Sequence, residues 1–406
     1  MVKIAVLGYG TVGSGVVEVL RTNQKVIDER LGEELRVKYV LDLRDFPDDP
    51  VQELITHDFE DIVNDEEVRI VVEVMGGIEP AYTFVKRSLE AGKSVATSNK
   101  ALVAKHGAEL LRIAKEKNVN FLFEASVGGG IPILRPLHSS LTGDVIEEIT
   151  GILNGTTNYM MTKMFYEGAD YDEVLREAQA NGFAERNPEA DVEGYDACRK
   201  IAILSSIISG KQVDFEDIYC EGITRITAED MKYAKAMGMT IKLLATCKRD
   251  GEKLNAMVAP CLLRAEHPLF AINGVFNSIF VHGNMLGDAM FYGSGAGKLP
   301  TASAVVGDIV EEARNLERNL GVMWSSEKLA LEDRRDVERR FFVRMKGSRE
   351  ELQDRVASVF GMVQFVRAEG VSGEFGFVTE RMPEGSYEEK AGQFDGQILG
   401  MIRVEE

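Results

Sequence analysis

Residues 1–20, MVKIAVLGYGTVGSGVVEVL, run from an apolar stretch at Val2 to Leu7 through Gly8, Tyr9, Gly10, Thr11, Val12 and Gly13 into a helical pattern from Ser14 to Leu20. Strand, tight glycine turn and helix form the context in which GxGxxG binds a dinucleotide. Gly8 permits the turn, Gly10 lets the backbone approach a pyrophosphate, and Gly13 allows close packing of helix on strand. The helix N-terminus attracts the phosphate charge. A second strand over 37–41 leads into Asp42, Leu43, Arg44 and Asp45. An acidic residue there suits an adenosine ribose and an arginine suits a 2′-phosphate, so NAD and NADP both stay open. Further strands are expected over 70–74 and 94–97, with a helix between them starting near Glu79 and Pro80. This alternation predicts an α/β fold with a Rossmann-type, doubly wound parallel sheet. Met75, Gly76 and Gly77 after one strand, and Asn99 and Lys100 after the next, fall at the carboxyl ends of strands, where such sheets hold ligands. On spacing alone, Lys100 reads equally well as a solvated lysine opening a surface helix.

A chain of 406 residues, 45% hydrophobic and 28% charged, has room for two or three globular domains. Its formal charge of −19, without a cluster of Lys and Arg, argues against a nucleic-acid partner. Cys198, Cys220, Cys247 and Cys261 are widely spaced without a CxxC pair, which reads as free thiols in a reducing compartment. The first apolar run is too short for a signal peptide, and no later stretch approaches the roughly 20 apolar residues of a membrane span. A cytoplasmic protein without a membrane partner is the expectation.

Charge concentrates in residues 181–200, NGFAERNPEADVEGYDACRK, where five acidic side chains and a terminal lysine precede an apolar helix. Ala197, Ile201, Leu204 and Ile208 recur at helical spacing and Ile203 and Ile207 fill another face, so the helix running to Gly210 should be buried. Glu193, Asp196 and Lys200 then project from about the same side. An isolated Asp/Lys pair four apart is commonly a surface salt bridge of about 0.3–0.5 kcal/mol. A buried helix body, with Glu185, Glu189 and Asp191 just before it, points instead to a site for an amino-acid-like ligand.

Taken together, GYGTVGSG at the start, EVMGGIEPA from Glu73, ATSNKALVA from Ala96, FEASVGGGIPI from Phe123, GILNGTTNYM from Gly151, the acidic segment, and MFYGSGAGKLPTASAVVGDI from Met290 resemble homoserine dehydrogenase. They occur in that family's order and cover about residues 1 to 320; NGTTNY, EGYDACRK and YGSGAGKLPTASAV are far more specific than the glycine turn. The resemblance implies reversible hydride transfer between NAD(P)H and L-aspartate semialdehyde, giving L-homoserine on the route to threonine and methionine. Carried over by position, Lys200, Lys100 and Asp196 would serve catalysis. Glu185, Asp191, Asn154, Gly155, Thr156 and Thr157 would hold substrate, and Gly295, Gly297 and Thr301 would join the cofactor loops. A monovalent cation such as sodium would take main-chain oxygens of Val127, Gly129 and Ile131 with the side chain of Glu124, although a glycine triplet is equally a flexible hinge. A homodimer or larger homo-oligomer is implied. Departures from the family pattern are Phe183 at a place often filled by tyrosine, Arg186 and Asn187 where alanine or aspartate is common, and Ser294 in place of the arginine of YGRGAG.

Reducing an aldehyde leaves an alkoxide-like oxygen that needs a positive proton donor, a task lysine can perform. Aldehyde oxidation through an acyl intermediate would need an activated cysteine. The cofactor-proximal loops contain none, and Cys198 reads as a core-facing thiol. An amino-acid-sensing regulator on a dehydrogenase scaffold is disfavoured by the presence of both lysines with the carboxylates.

Three domains are expected: 1–130 for the dinucleotide, 131–320 for substrate and dimerisation with its last helix (302–320) returning to the nucleotide domain, and 338–406. The stretch EDRRDVERR, 332–340, reads as a linker or solvated helix end. Beyond it the pattern predicts strand 341–345, helix 349–360, strands 362–368 and 374–379, helix 387–398 and strand 401–404. That order resembles an ACT domain, a small α+β ferredoxin-like module carried by many homoserine dehydrogenases. Its ligand loop is replaced here by Lys346, Gly347, Ser348 and Arg349, which implies subunit contact more than threonine sensing.

Overall fold

In the computed structural model, which describes residues 1–321, 323–394 and 396–405, the chain divides into two compact units. One comprises Met1–Asp144, Ala202–Phe215 and Gly293–Leu329; the other comprises Val145–Ile201, Glu216–Tyr292 and Ala330–Glu406.

The first unit is built on a parallel sheet of strands β1 (Val2–Leu7), β2 (Leu35–Leu41), β3 (Ile55–Thr56), β4 (Val68–Glu73), β5 (Ser94–Thr97) and β6 (Phe121–Leu122), in the order β3-β2-β1-β4-β5-β6. Strand order reverses between β1 and β4, which places the ligand crevice at their carboxyl ends. Ile4, Val6, Ile70 and Val72 share the buried face with Val16 and Leu20 of helix Thr11–Thr22 and with Ala302, Val305 and Ile309 of helix Lys298–Arg314. Those two helices meet closely: a Cβ on Gly15 would stand 2.9 Å from the Lys298 carbonyl oxygen. The later helix stops at Arg314, short of the expected Leu320.

An eleven-stranded mixed sheet dominates the second unit. Its longest pairing is antiparallel, Met239–Asp250 with Lys253–Arg264, and Lys253–Arg264 also pairs in parallel with the final strand Ile398–Glu405. Among the described residues from 338 to 405 the order is strand, helix, strand, strand, helix, strand, as the sequence pattern predicts, with a two-residue strand Met382–Pro383 added before the second helix. Several boundaries differ: the first strand is Glu338–Lys346 and the second Val363–Val366. The second helix is Glu384–Ala391 and not 387–398, and the last strand begins at Ile398; Asp395, inside the expected helix, lies outside the described residues. The stretch EDRRDVERR is not a solvated helix end, because a strand begins at Glu338 and Arg339 is buried. Among the described residues, no helix is long and apolar enough to cross a membrane.

Candidate functional site

At the end of β1, Gly8 adopts φ +98°, a conformation that L side chains rarely take, and its N–H donates to the Leu41 carbonyl. A Cβ on Gly13 would lie 1.9 Å from the Gly8 carbonyl oxygen, whereas one on Gly10 would meet nothing within 4 Å. Turn and helix can therefore close only with glycine at 13, and the open side of Gly10 suits an approaching phosphate at the N-terminus of helix Thr11–Thr22. The residues present fit a dinucleotide.

Asp42 caps this turn from β2. Its Oδ2 accepts the Tyr9 N–H at 2.8 Å, and its two oxygens accept Arg44 Nε at 2.9 Å and an Arg44 terminal nitrogen at 3.0 Å. The Arg44 guanidinium beside Asp42 holds that carboxyl well below the usual carboxylate range. Arg44 itself is mostly exposed and stacks over the Phe46 ring at 5.1 Å.

Across the strand-order reversal, a residue with no assigned role in the sequence pattern organises two more loops. Glu73, at the end of β4, accepts the Met75 N–H at 2.8 Å and the Thr97 hydroxyl at 2.6 Å, and Thr97 Oγ1 accepts the Asn99 N–H at 3.0 Å. One buried carboxylate thus ties the Met75, Gly76, Gly77 turn to the start of helix Lys100–Glu116, which Asn99 caps by accepting the Leu102 N–H. Burial pushes the Glu73 carboxyl up. An acidic residue at the carboxyl end of an otherwise apolar strand was the available signal.

Gly295, Gly297 and Thr301 sit on the turn that starts helix Lys298–Arg314, where the Thr301 N–H donates to the Gly297 carbonyl. The glycine triplet packs on that turn: the Gly130 N–H donates to the Ser294 carbonyl, and a Cβ on Gly129 would come within 2.5 Å of the Gly295 carbonyl oxygen. Glu124 pins the loop after the triplet by accepting the N–H groups of Ile133, Leu134 and Arg135 at 2.6, 2.8 and 2.7 Å. With both oxygens engaged, its side chain has a structural task in the loop beside Val127, Gly129 and Ile131.

Asp308 completes this clamp, accepting the Glu124 N–H at 2.8 Å and Arg135 at 2.6 Å. One helical turn later stands Glu312, fully buried, with no hydrogen-bond partner for either carboxylate oxygen among the described residues. Burial first, and then the Glu124 charge, pushes the Asp308 carboxyl up to about 7; burial holds Glu312 higher than ordinary carboxyls. A carboxyl whose folded-state pKa is raised gives its full stability below the unfolded value and loses it as pH rises through the folded value. Glu312→Gln, neutral at every pH, is therefore expected to raise Tm by about 2–4 °C at pH 8 for each kcal/mol of relieved strain, and by little at pH 5. Scanning calorimetry at the two pH values checks this; an equal shift at both would contradict it.

In the second unit, strand Ile146–Ile152 delivers Leu153 and Asn154 to the start of helix Gly155–Glu167. Asn154 Oδ1 caps the helix by accepting the Thr157 N–H at 2.9 Å, while its Nδ2 donates to Asp191 at 2.7 Å and to Asp196 at 3.0 Å. Gly155 is required because a Cβ there would stand 2.6 Å from the Val275 carbonyl oxygen. Thr156 donates its hydroxyl to the Phe183 carbonyl, fastening the acidic segment to this turn. Helix Tyr195–Ser209 carries Asp196 and Lys200, both more than nine-tenths buried. Lys200 Nζ donates to Asp196 Oδ2 and to the Leu153 carbonyl, each at 2.6 Å.

Asn154, Asp191, Asp196 and Lys200 are thus gathered into one network, of which helical spacing had paired only Asp196 and Lys200. Glu185 is different: it stands on an exposed loop, where its carbonyl accepts from Gln179. Lys100 begins its helix in the first unit and is half-buried. Lys242 went unnoticed in the sequence. Nearly fully buried, it donates to the Ile272 carbonyl at 2.6 Å and to Asn273 and Asn158, so it braces the NGTTN helix, and burial lowers its pKa to about 8. A cavity of about 400 Å³ in this unit lies elsewhere, lined by residues such as Lys248, Asp250, Arg339 and Glu405 whose charges balance.

Two family profiles together match most of the chain. Residues 8–124 match the sequence profile of the family described as "Homoserine dehydrogenase, NAD binding domain", and residues 132–310 match that of "Homoserine dehydrogenase". A homoserine dehydrogenase of Bacillus subtilis is 44% identical over 80% of this chain and 75% of its own length. One from Mycobacterium tuberculosis is 43% identical over 92% and 88%. The crystal structure of a homoserine dehydrogenase from Thiobacillus denitrificans superposes with a TM-score of 0.91 at 34% identity, covering 100% of this chain and 98% of that one. A hyperthermophilic archaeal homoserine dehydrogenase in complex with NADPH gives a TM-score of 0.65 at 28% identity over 77% of this chain and 97% of its own.

Proposed function

Since the chain belongs to the homoserine dehydrogenase family, and so interconverts L-aspartate semialdehyde and L-homoserine with NAD(P), we propose how its own residues carry out that reaction. A bound nicotinamide supplies the hydride in one direction and accepts it in the other. As hydride reaches the aldehyde carbon, the carbonyl oxygen gathers negative charge. Lys200 faces that oxygen as a fixed cation and passes it a proton; in reverse it takes the hydroxyl proton of homoserine. The observation that carries this assignment is the buried Lys200 ammonium, aimed by two 2.6 Å hydrogen bonds to Asp196 and the Leu153 carbonyl. Lys100 is the second lysine of the reaction. Glu185 and Asp191 take the substrate ammonium group, with Asn154 to Thr157 forming the wall beside it.

NADP is the preferred cofactor in our reading, because the exposed Arg44 guanidinium covers the Asp42 carboxylate that would otherwise repel a 2′-phosphate. Cofactor contacts fall to residues 8–13, Met75, Gly76, Gly77, Asn99, Gly295, Gly297 and Thr301. A monovalent cation, sodium or a close relative, is assigned to main-chain oxygens of Val127, Gly129 and Ile131 with the side chain of Glu124, whose carboxylate also accepts three amide hydrogens. Residues 338–406 are assigned to an ACT-like module used for contact within a homodimer or larger assembly, and the enzyme to the cytoplasm.

Asp191→Asn tests the substrate assignment. Removing the charge that meets the substrate ammonium should raise KM for homoserine by roughly ten- to a hundredfold, as expected for a charge-assisted hydrogen bond of about 1.5–3 kcal/mol, with KM for the cofactor unchanged. Initial rates of homoserine-dependent reduction of NADP measure both; an unchanged homoserine KM removes Asp191 from substrate binding.

A further inference from the structure

We propose that Lys242 is a positioning residue for this reaction: its ammonium ties down the start of helix Gly155–Glu167 and so fixes where Asn154 holds Asp191 and Asp196. Lys242 enters from strand Met239–Asp250 and is fully buried. Its Nζ donates to the Ile272 carbonyl at 2.6 Å, to Asn273 Oδ1 at 3.0 Å and to Asn158 Oδ1 at 3.1 Å. An ammonium has three N–H groups and no acceptor, so these three oxygens occupy all of it.

The sheet face around it is otherwise apolar. Cys261 pairs opposite Lys242 and Leu244 follows two residues on; both belong, with Ile152, Met257 and Ile272, to one hydrophobic cluster. Among the described residues its hydrogen-bond partners are two amides and a carbonyl, none of them a carboxylate, and burial lowers its pKa to about 8. A charge buried without a counter-charge is costly, and a methionine would fill similar space without it. What the ammonium adds over an apolar side chain is direction. One atom held by the sheet fixes two separate segments at once.

Those segments are the helix and the stretch 272–276 that lies along it. Asn158 stands one turn into the helix. Its Nδ2 donates to the Phe276 carbonyl at 3.0 Å which, with Lys242 donating to Oδ1, leaves the amide a single orientation. One turn further on, Thr162 Oγ1 accepts the Gly274 N–H at 3.0 Å. One turn earlier, a Cβ on Gly155 would stand 2.6 Å from the Val275 carbonyl oxygen. Gly155, Asn158 and Thr162 share the helix face that meets this stretch.

The same turn carries the group that holds the carboxylates. The Asn158 N–H donates to the Asn154 carbonyl at 3.2 Å, and the Asn154 side chain donates to Asp191 at 2.7 Å and to Asp196 at 3.0 Å. Without Lys242, Asn158 keeps only the Phe276 carbonyl, and Ile272 and Asn273 lose the cation that joins them to the helix. The first turn is then free to shift against its backing. A misplacement of about 1 Å at a substrate-positioning group costs on the order of a hundredfold.

This inference rests on the assignment of Asp191 to the substrate, and its test separates the two. Initial rates of homoserine-dependent NADP reduction are measured on the full chain for Lys242→Met, Asn158→Ala and the double variant. The expected result is a homoserine KM raised roughly ten- to a hundredfold in each, with the NADP KM unchanged. The double variant should be no worse than the worse single one, because both changes break one tie. A lysine that only fills the core predicts a different split: part of the enzyme misfolds, kcat per mole falls, and the homoserine KM of the remainder holds. That split, or additive effects in the double variant, overturns the proposal. Should Lys242→Met fail to fold, Asn158→Ala decides alone, and an unchanged homoserine KM there overturns the tie. A raised KM in Asp191→Asn beside unchanged values in the other variants removes Lys242 and leaves the substrate assignment standing. The reverse pattern upholds the tie and overturns that assignment.

Discussion

Lys200→Ala should lower kcat by roughly a thousandfold, about 4 kcal/mol of transition-state stabilisation, while leaving the dissociation constant for NADPH unchanged. The size follows from the environment. The ammonium sits in a site only 7% exposed, where a fixed positive donor acts on a developing alkoxide without competing water. Lys200→Arg should not rescue turnover. Its planar fork cannot reproduce a point charge held at 2.6 Å by both Asp196 and the Leu153 carbonyl. Asp196→Asn separates orientation from charge: it keeps the shape but weakens the aim of the lysine, so kcat should fall less than in Lys200→Ala. Stopped-flow transients of NADPH oxidation with aspartate semialdehyde, alongside NADPH titration by fluorescence, read the two quantities separately. Turnover within tenfold of the wild type would remove Lys200 from proton transfer.

The same network marks where sequence reasoning succeeds and where it stops. Asp196 and Lys200 were legible because a helix repeats every 3.6 residues and the apolar body after them had to be buried. The glycine turn was legible for the same local reason: strand, Gly8, Gly10, Gly13 and helix lie within the first twenty residues. Asn154 bridging Asp191 and Asp196 was not legible from spacing, since it arrives from a strand some forty residues earlier and only the family resemblance pointed to it. Glu73 and Asp308 were missed altogether. The role of each comes from partners on other elements: Thr97 for Glu73, and the Glu124 N–H and Arg135 for Asp308. The misreading of EDRRDVERR has a related cause. Charge density suggested solvent, but Arg339 enters the second unit beside Asn255 and Glu384, 84 residues before it and 45 after. Burial of a paired charge is decided by the partner, and the partner is set by tertiary structure.

Arg44→Ala carries the other large effect, on the choice of cofactor. If Arg44 holds the 2′-phosphate through charge-assisted hydrogen bonds of about 1.5–3 kcal/mol, its loss lowers kcat/KM for NADP by roughly ten- to a hundredfold. A second consequence acts in the same direction. Asp42 Oδ2 would keep the Tyr9 N–H, but its two oxygens would be released from the guanidinium that now holds the carboxyl low. A bare carboxylate at the end of β2 accepts the ribose 2′-hydroxyl of NAD and repels a phosphate, so kcat/KM for NAD should hold or rise. The ratio of the two specificity constants therefore moves further than either constant alone. High salt should narrow it, because part of the discrimination is a partly exposed charge pair. The decisive measurement is homoserine-dependent reduction of NAD and NADP by wild type and variant at two ionic strengths. An equal fall with both cofactors would mean that Arg44 works only as a brace between Asp42 and the Tyr9 carbonyl, which it meets at 3.2 Å, and selects nothing.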